Sequence, residues 1–443
     1  MTNPFDDPDA QYLVLVNDEA QYSLWPVFAA VPAGWTVAQQ AAARQDALAF
    51  IEEQWTDMRP RSLALRMEQD ERTASQSGQG QGGTSVLAGL TLSHTELYVE
   101  DLDRSVAEFT ENYGFVPFAD AESGGPGGAA RSVALRQGDI ALVVTQALDA
   151  SHPAAAYVAR HGDGVADIAL VCRDVRAAVA EAVRCSADVL AEPAERDGFV
   201  TAVLAGGFDD IRHTLVQRPE GTVGFSLPGF TERPGTESAA TGELTSLDHV
   251  AVTVGAGRLA SATAYYERVF GYRSVYEELM VQGQEAMDSK AVRSPAGDVT
   301  FTVLAPSPDH DPGHIGDFLD RHGSGGVHHL AFATDDIIRT VARLRDSGVD
   351  FLTTPDTYYD RLRRRIKPVR HSPEELHGAQ VLADEDHDGQ LFQIFTRSTH
   401  PRRTLFYELI ERAGADTFGG GNVRALYEAV QAEKAAGLAG AAR

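Results

Sequence analysis

The sequence predicts an α+β protein: a small N-terminal α/β domain tethered to two larger domains built from βαβββ repeats. Three observations predict it. From Thr73 to Ser85 (TASQSGQGQGGTS) apolar residues vanish and Gly, Ser and Gln take over, as in a flexible tether, so the residues before it must fold around their own core. Beyond the tether the chain repeats itself. Leu92-Ser93-His94-Thr95-Glu96-Leu97-Tyr98-Val99 parallels Leu247-Asp248-His249-Val250-Ala251-Val252-Thr253-Val254, and Gly164-Val165-Ala166-Asp167-Ile168-Ala169-Leu170 parallels Gly326-Val327-His328-His329-Leu330-Ala331-Phe332. Within each copy β-rich runs alternate with helix-like segments, the order expected of cupped sheets with helices outside.

At the N-terminus, Leu13-Val14-Leu15-Val16 and Tyr22-Ser23-Leu24-Trp25 read as paired strands, and Ala41 to Trp55 as a helix packed on them. In each copy the opening strand leads into a helix-like segment ending at Gly114-Phe115 or Gly271-Tyr272. The glycine-led strands are each followed, at the same offset, by an acidic–aliphatic pair, Asp174-Val175 and Asp336-Ile337. Further β-rich runs close both copies, including Val203-Leu204-Ala205 and Leu215-Val216 in the first, and Val381-Leu382-Ala383 and Phe392-Gln393-Ile394-Phe395 in the second. A weaker break from Pro219 to Glu243, rich in Pro, Gly and polar residues, separates the copies. These signals place domains at 1–70, 89–235 and 236–443, with a linker at 71–88.

The chain has 443 residues, 43% of them hydrophobic, ample for several cores. Its 38 basic and 64 acidic residues give a net charge of −26, which repels phosphate backbones and anionic lipid, so neither nucleic acid nor a membrane surface is an expected partner. Cys172 and Cys185 are too few for a disulfide framework and wrongly spaced for a zinc pair. With no apolar run of bilayer length and no signal-peptide pattern in Met1-Thr2-Asn3-Pro4-Phe5-Asp6-Asp7, a cytoplasmic protein is expected. Composition leaves homo-oligomerisation open.

A cupped sheet can hold a metal if widely separated strands supply ligands to its inner face. The candidates are His249 on the first strand of the last half, His329 after the turn Gly323-Ser324-Gly325-Gly326, and Glu408 within Leu405-Phe406-Tyr407-Glu408-Leu409. Two imidazoles and a carboxylate leave coordination positions for a 2-oxo acid and dioxygen, the arrangement of non-haem iron(II) oxygenases. Strand alternation does not choose between His328 and His329. The first half carries His94 opposite His249 but Asp167 opposite His329, which fits a structural, metal-free role for that half, with His94 a relic or a structural residue.

Leu247-Asp248-His249, Gly326-Val327-His328-His329-Leu330-Ala331, Leu391-Phe392-Gln393-Ile394-Phe395-Thr396, Phe406-Tyr407-Glu408-Leu409-Ile410-Glu411-Arg412 and Phe418-Gly419-Gly420-Gly421-Asn422-Val423-Arg424 match, in order, motifs of a known family. Residues 89–435 resemble the 4-hydroxyphenylpyruvate dioxygenase and 4-hydroxymandelate synthase family of the vicinal oxygen chelate superfamily. The resemblance implies Fe(2+) on His249, His329 and Glu408, with 4-hydroxyphenylpyruvate and O2 as substrates. The family commonly has Gln where this chain has His328, which leaves the hydrogen bonding there open.

The two activities share substrate and oxidant, so orientation of the bound intermediate must decide between ring attack, giving homogentisate, and benzylic hydroxylation, giving 4-hydroxymandelate. Where the dioxygenases usually show Phe-Pro-Ile-Asn and Gly-Asn-Phe, this chain has Phe301-Thr302-Val303-Leu304 and Gly421-Asn422-Val423, as the synthases do. Val in place of an aromatic ring vacates volume, and Leu in place of an amide removes a directional hydrogen bond. Phe418 resembles the aromatic that packs on the substrate ring, and Gln393 and Ser289 resemble polar pocket residues. Val423 also fits the apolar face of a helix with Asn422 as N-cap, and Ser289 also reads as an ordinary strand hydroxyl. The synthase is the favoured expectation and the dioxygenase the alternative.

Residues 1–70 resemble an MbtH-like protein through Asn17-Asp18-Glu19-Ala20-Gln21-Tyr22-Ser23-Leu24-Trp25-Pro26, Pro32-Ala33-Gly34-Trp35 and Trp55-Thr56-Asp57-Met58-Arg59-Pro60-Arg61-Ser62-Leu63. Tryptophans in so small a domain most often serve the core, but exposed aromatics also anchor interfaces. The resemblance implies binding to an adenylation domain of a non-ribosomal peptide synthetase, with Ser23, Leu24, Trp25 and Trp35 near the contact. It also supports the synthase, because 4-hydroxymandelate leads to hydroxyphenylglycine, an amino acid such synthetases use. A non-catalytic helper of the adenylation domain is the alternative of another class.

Overall fold

The computed structural model describes residues 11–17, 19–32, 34–54, 85–124, 127–222, 225–235, 242–422 and 424–425. Two compact units result, 1–84 and 85–443. Among the described residues no helix is long and apolar enough to cross a membrane.

In the first unit, β1 (Gln11–Asn17) lies between β2 (Tyr22–Pro26) and β3 (Trp35–Ala43), antiparallel to both, and α1 (Arg44–Gln54) follows. Tyr12, Val14 and Ala47 form the core, with Tyr22, Leu24, Phe50 and Ile51 against it. The third strand corrects the expected helix start: Ala41 to Ala43 finish β3 and the helix begins at Arg44. Helix-favouring Ala and Gln in WTVAQQAAA yield to ladder pairing with β1, from Asn17↔Trp35 to Gln11↔Ala43. Trp55 and linker residues 71–84 lie outside the described residues.

The second unit contains the two repeated halves. In the first, β4 (Thr91–Tyr98), α2 (Leu102–Ala107), β5 (Val116–Ser123), β6 (Ala130–Gln137) and β7 (Ile140–Ala147) form one βαβββ module. After α3 (Pro153–His161), β8 (Gly164–Val171), α4 (Val175–Arg184), β9 (Val189–Arg196), β10 (Phe199–Ala205) and β11 (Arg212–Gln217) form the next, and the short β12 (Thr231–Glu232) pairs at the edge. The second half repeats the plan with β13 (Ser246–Thr253), α5 (Leu259–Phe270), β14 (Arg273–Gln282), β15 (Glu285–Arg293) and β16 (Thr300–Pro306). Then come α6 (Gly313–His322), β17 (Gly326–Ala333), α7 (Ile337–Asp346), α8 (Asp356–Arg365), α9 (Pro373–Ala379), β18 (Leu382–Glu385), β19 (Gln390–Phe395) and β20 (Phe406–Ala413).

Sheet orders β12-β5-β6-β7-β4-β8-β11-β10-β9 and β14-β15-β16-β13-β17-β20-β19-β18 show the same construction twice. In each, two four-stranded modules meet through the antiparallel first strands, β4/β8 or β13/β17. The first and last strands of every module are parallel, as helix crossovers require. The repeated sequence signals have physical causes. Asp174 and Asp336 are N-caps, accepting the Ala177 and Arg339 backbone N–H; Gly114 ends the π-helical segment Glu108–Tyr113 that continues α2, and Gly271 ends α5, at φ of 79° and 66°.

Alternation sends one face of each sheet into a core shared by both halves and the other into a cup. On β16, Phe301, Val303 and Ala305 enter the core while Thr302 and Leu304 face the cup. In the first half, the stretch read as a break is a strap: Phe225, Leu227 and Phe230 pack on Phe118, Ala134 and Val143, and Arg233 pairs with Asp120. The strap thus covers the cup-side face of β5, β6 and β7.

Beside the strapped cup, Asp167 is fully buried; its carboxylate accepts the Thr214 N–H at 2.9 Å and hydroxyl at 2.5 Å, opposite Glu96. Burial and the neighbouring Glu96 charge push its pKa up from 3.8 to about 7. A carboxyl whose folded pKa exceeds its unfolded value costs stability progressively as pH rises between the two, and the full cost persists above the higher. Asp167→Asn, which keeps partners for Thr214, is therefore expected to stabilise the chain at about pH 8 by on the order of 1–3 kcal/mol, with the gain fading toward about pH 4. Thermal melts at the two pH values check this; an equal effect at both would refute it.

Candidate metal centre

His249 sits on β13, His329 on the neighbouring β17 and Glu408 on β20, beyond β17 in the sheet. His249 Nε2 and His329 Nε2 lie 3.4 and 3.3 Å from the same oxygen, Glu408 Oε2. All three residues are buried, and their donor atoms lie within 4.8 Å of one another. Such N···O separations are long for hydrogen bonds, and two imidazole nitrogens and a carboxylate oxygen converging on one point are the donor set of a non-haem iron(II) site. The residues present fit Fe(2+).

Local irregularity, not alternation, resolves the histidine pair. The β13–β17 register jumps from Ala251↔His329 to Val252↔Val327, so His328 is an extra residue in a β-bulge and both His328 and His329 line the cavity. The equivalent strands of the first half carry the same bulge, between Glu96↔Asp167 and Leu97↔Val165. There the positions matching the triad hold His94, Asp167 and Thr214, and among the described residues no trio of metal-binding side chains converges in that half. His94 is half-buried beside Ser93 Oγ, and burial with the Arg218 charge lowers its pKa to about 4.

The imidazoles have different outer partners. His249 Nδ1 lies 2.8 Å from Asp248 Oδ1, and Arg412 donates to both Asp248 oxygens at 2.7 and 2.8 Å. Arg412 also donates to the backbone oxygens of Ala415 and Thr417 and lies over the Phe418 ring. Burial alone would lower the His249 pKa, but the hydrogen bond to Asp248 and the nearby Glu408 carboxylate carry it up to about 9. Burial dominates at His329, whose pKa is lowered. Burial opposes ionisation of Glu408 too, yet the two imidazoles hold its pKa below the usual carboxylate range. Asp248 and Arg412 were missed as a pair in the sequence; an acid directly before His249 and a base in register with Glu408 on β20 were the only signals.

A cavity of about 570 Å³ opens onto the triad. Ser289, Thr302, Leu304, Gln393 and Phe418 all line it. Phe418 packs edge-on against His249, with ring centroids 5.2 Å apart, and Gln393 Oε1 is buried with no protein partner among the described residues. Tyr276, His314, Phe318, His328, Phe395 and Phe406 also contribute to the wall. Val423 lies outside the described residues. Asn422 is not an N-cap: it lies inside the turn that begins at Gly420, fully buried, its side-chain oxygen accepting from Tyr358 Oη at 2.7 Å and Arg365 Nη2 at 3.0 Å.

Residues 1–67 match the MbtH-like protein model, and residues 93–201 and 246–394 match models of the Glyoxalase/Bleomycin resistance protein/Dioxygenase superfamily. A 4-hydroxyphenylpyruvate dioxygenase of Neurospora crassa is 32% identical over 63% of this chain and 71% of its own length. The chain belongs to the 4-hydroxyphenylpyruvate dioxygenase-like family. The family's namesake from Dictyostelium discoideum is 28% identical over 77% of this chain and 97% of its own. Among solved structures, a mutant of 4-hydroxymandelate synthase from Streptomyces coelicolor is 42% identical, with a TM-score of 0.69, covering 78% of this chain and 98% of that one. As a family member carrying a buried His/His/Glu cluster, the chain is a non-haem iron-dependent oxidoreductase with an MbtH-like N-terminal domain.

Proposed function

We propose that the chain converts 4-hydroxyphenylpyruvate and O2 to 4-hydroxymandelate and CO2, and that its N-terminal unit assists an adenylation domain of a non-ribosomal peptide synthetase. The observation that carries the first half of this reading is the wall formed by Thr302 and Leu304, which face the same cavity as the triad. Among solved structures, identity of 42% to a 4-hydroxymandelate synthase mutant, against 26% to a 4-hydroxyphenylpyruvate dioxygenase fusion protein over a similar share of this chain, supports it.

His249, His329 and Glu408 would hold iron(II), which when bound supplies oxygen activation and decarboxylation of the 2-oxo acid. The remaining work belongs to the protein. Arg412 and Asp248 keep the His249 ring fixed, so the donor set is preorganised. Phe418 and Phe406 give the substrate ring flat apolar surfaces, and Ser289 and Gln393 offer hydrogen bonds to its polar ends. Leu304 offers none, so that wall leaves the ring free to tilt until its benzylic carbon, not the ring, meets the oxidant. Equal consumption of O2 and 4-hydroxyphenylpyruvate, with equal CO2 release, is the expected stoichiometry; its absence in the iron-loaded chain would favour the non-catalytic alternative.

The small unit supports the second half. Trp25 pairs with Leu13 and Trp35 with Asn17, four residues along β1, so both rings share the face away from α1 with Ser23, while Leu24 packs into the helix-side core. Phe28, in the turn after β2, is 78% exposed. Trp25 and Trp35 are half-buried, and aromatics partly open to solvent beside a strand edge are typical of interface anchors. Trp25→Ala, in a variant whose circular dichroism matches wild type, is expected to weaken adenylation-domain binding by about 2 kcal/mol, measured by calorimetry, with oxygenation unchanged. Unaltered affinity would remove this surface from the proposal. The freed fragment 1–70 is expected to bind alone, and the remainder to oxygenate alone.

A further inference from the structure

The geometry around the triad assigns a task to His328, and this assignment rests on the metal-centre reading. We propose that His328 is a positioning residue: its Nδ1 accepts a hydrogen bond from His329 Nδ1–H, holding that ring with Nε2 toward Glu408, and its own Nε2–H is thereby offered to the cavity as a donor for a substrate oxygen.

The triad fixes which nitrogen of each ring faces the metal position. His249 Nε2 and His329 Nε2 converge on Glu408 Oε2, so the Nδ1 atoms face outward. A neutral imidazole carries one N–H and one lone pair, and the nitrogen that gives its lone pair to a metal leaves the proton on the other. His329 Nδ1 is then a donor. The atom 3.0 Å away is His328 Nδ1, which must accept, and an imidazole that accepts at Nδ1 carries its proton at Nε2. The tautomer of His328 follows without choice.

Adjacent residues on a regular strand point to opposite faces and could not meet in this way. The bulge opposite Ala251 and Val252 brings both rings to the cavity side. Packing then clamps them: Phe406 stacks on His329 with ring centroids 4.9 Å apart at 27° and meets His328 edge-on at 4.8 Å and 82°, while Phe318 meets His328 at 5.2 Å and 80°. His328 lines the cavity, and among the described residues no protein group hydrogen-bonds its Nε2. A metal-binding histidine ordinarily gives its second N–H to a carboxylate, carbonyl or water, as His249 does to Asp248. His329 instead has a neutral ring for this partner, which makes it the weaker electron donor of the two and gives the cavity wall an uncharged hydrogen-bonding group.

The full chain loaded with zinc(II) permits a direct test, since long-range proton–nitrogen correlation spectra report imidazole tautomers. The expected result is His328 protonated at Nε2 and bare at Nδ1, with His329 protonated at Nδ1; a proton on His328 Nδ1 would overturn the proposal. Cobalt(II) affinity and the ligand-field spectrum supply the second readout. His328→Leu, which removes the acceptor, is expected to weaken cobalt binding about 10–100-fold, and His328→Gln, whose amide oxygen can accept, to recover most of the loss. Cobalt binding in the Leu variant indistinguishable from wild type would also refute it, and should that variant not fold, the wild-type tautomer decides alone. Failure of the underlying metal reading looks different: His329→Ala would then bind cobalt as tightly as wild type.

Discussion

His329→Ala is expected to remove both iron and activity. The substitution deletes one of three converging donors and leaves Glu408 and His249 facing a gap, with Phe406 losing the ring it stacks on. Loss of an outer hydrogen-bond partner alone typically lowers metal affinity about 10–100-fold, and loss of a direct ligand must exceed that. The purified variant should therefore emerge with little iron and show no measurable oxygen uptake. His94→Ala is the matched control, because His94 occupies the corresponding strand position of the first half and lines no part of the cavity. It should retain iron and near wild-type turnover. Metal analysis and an oxygen electrode suffice, and an iron-replete, active His329→Ala would show the triad to be misassigned.

The second large effect concerns the product. Val423→Phe with Leu304→Asn is expected to move product from 4-hydroxymandelate toward homogentisate, as added bulk and a restored amide constrain the tilt of the ring. Leu304 lies on the cavity wall, so its replacement acts directly on the ligand. Thr302→Pro belongs to the same comparison but carries a separate cost: β16 lies between β15 and β13, and proline within a central strand removes a ladder hydrogen bond. The double variant is therefore the cleaner test, with the triple variant following it. Overpacking is expected to lower total turnover, so the ratio of products is the quantity to read. An unchanged ratio at measurable turnover would remove Leu304 and Val423 from the explanation of specificity.

Local rules explain why so much of this was legible. The repeat, the glycine helix ends and the capping acids each depend on a few neighbouring residues, and strand alternation alone puts Thr302 and Leu304 on one face of β16. What escaped was set by distance or by irregularity. Arg412 and Asp248 are 164 residues apart, and no local pattern ties them together. The choice between His328 and His329 dissolved in a bulge that makes both face inward. The Pro- and Gly-rich stretch after β11 has the composition of a linker, yet Leu227 and its neighbours pack on Phe118, Ala134 and Val143. Asn422 has the residue type of a cap, and burial against Tyr358 and Arg365 gives it different partners.

A wall with no directional hydrogen bond at Leu304 is expected to direct oxygen to the benzylic carbon. The most direct measurement is chromatography of the product formed by the purified full-length chain from iron(II), 4-hydroxyphenylpyruvate and dioxygen. 4-Hydroxymandelate is the expected major product; homogentisate in its place would overturn the assignment.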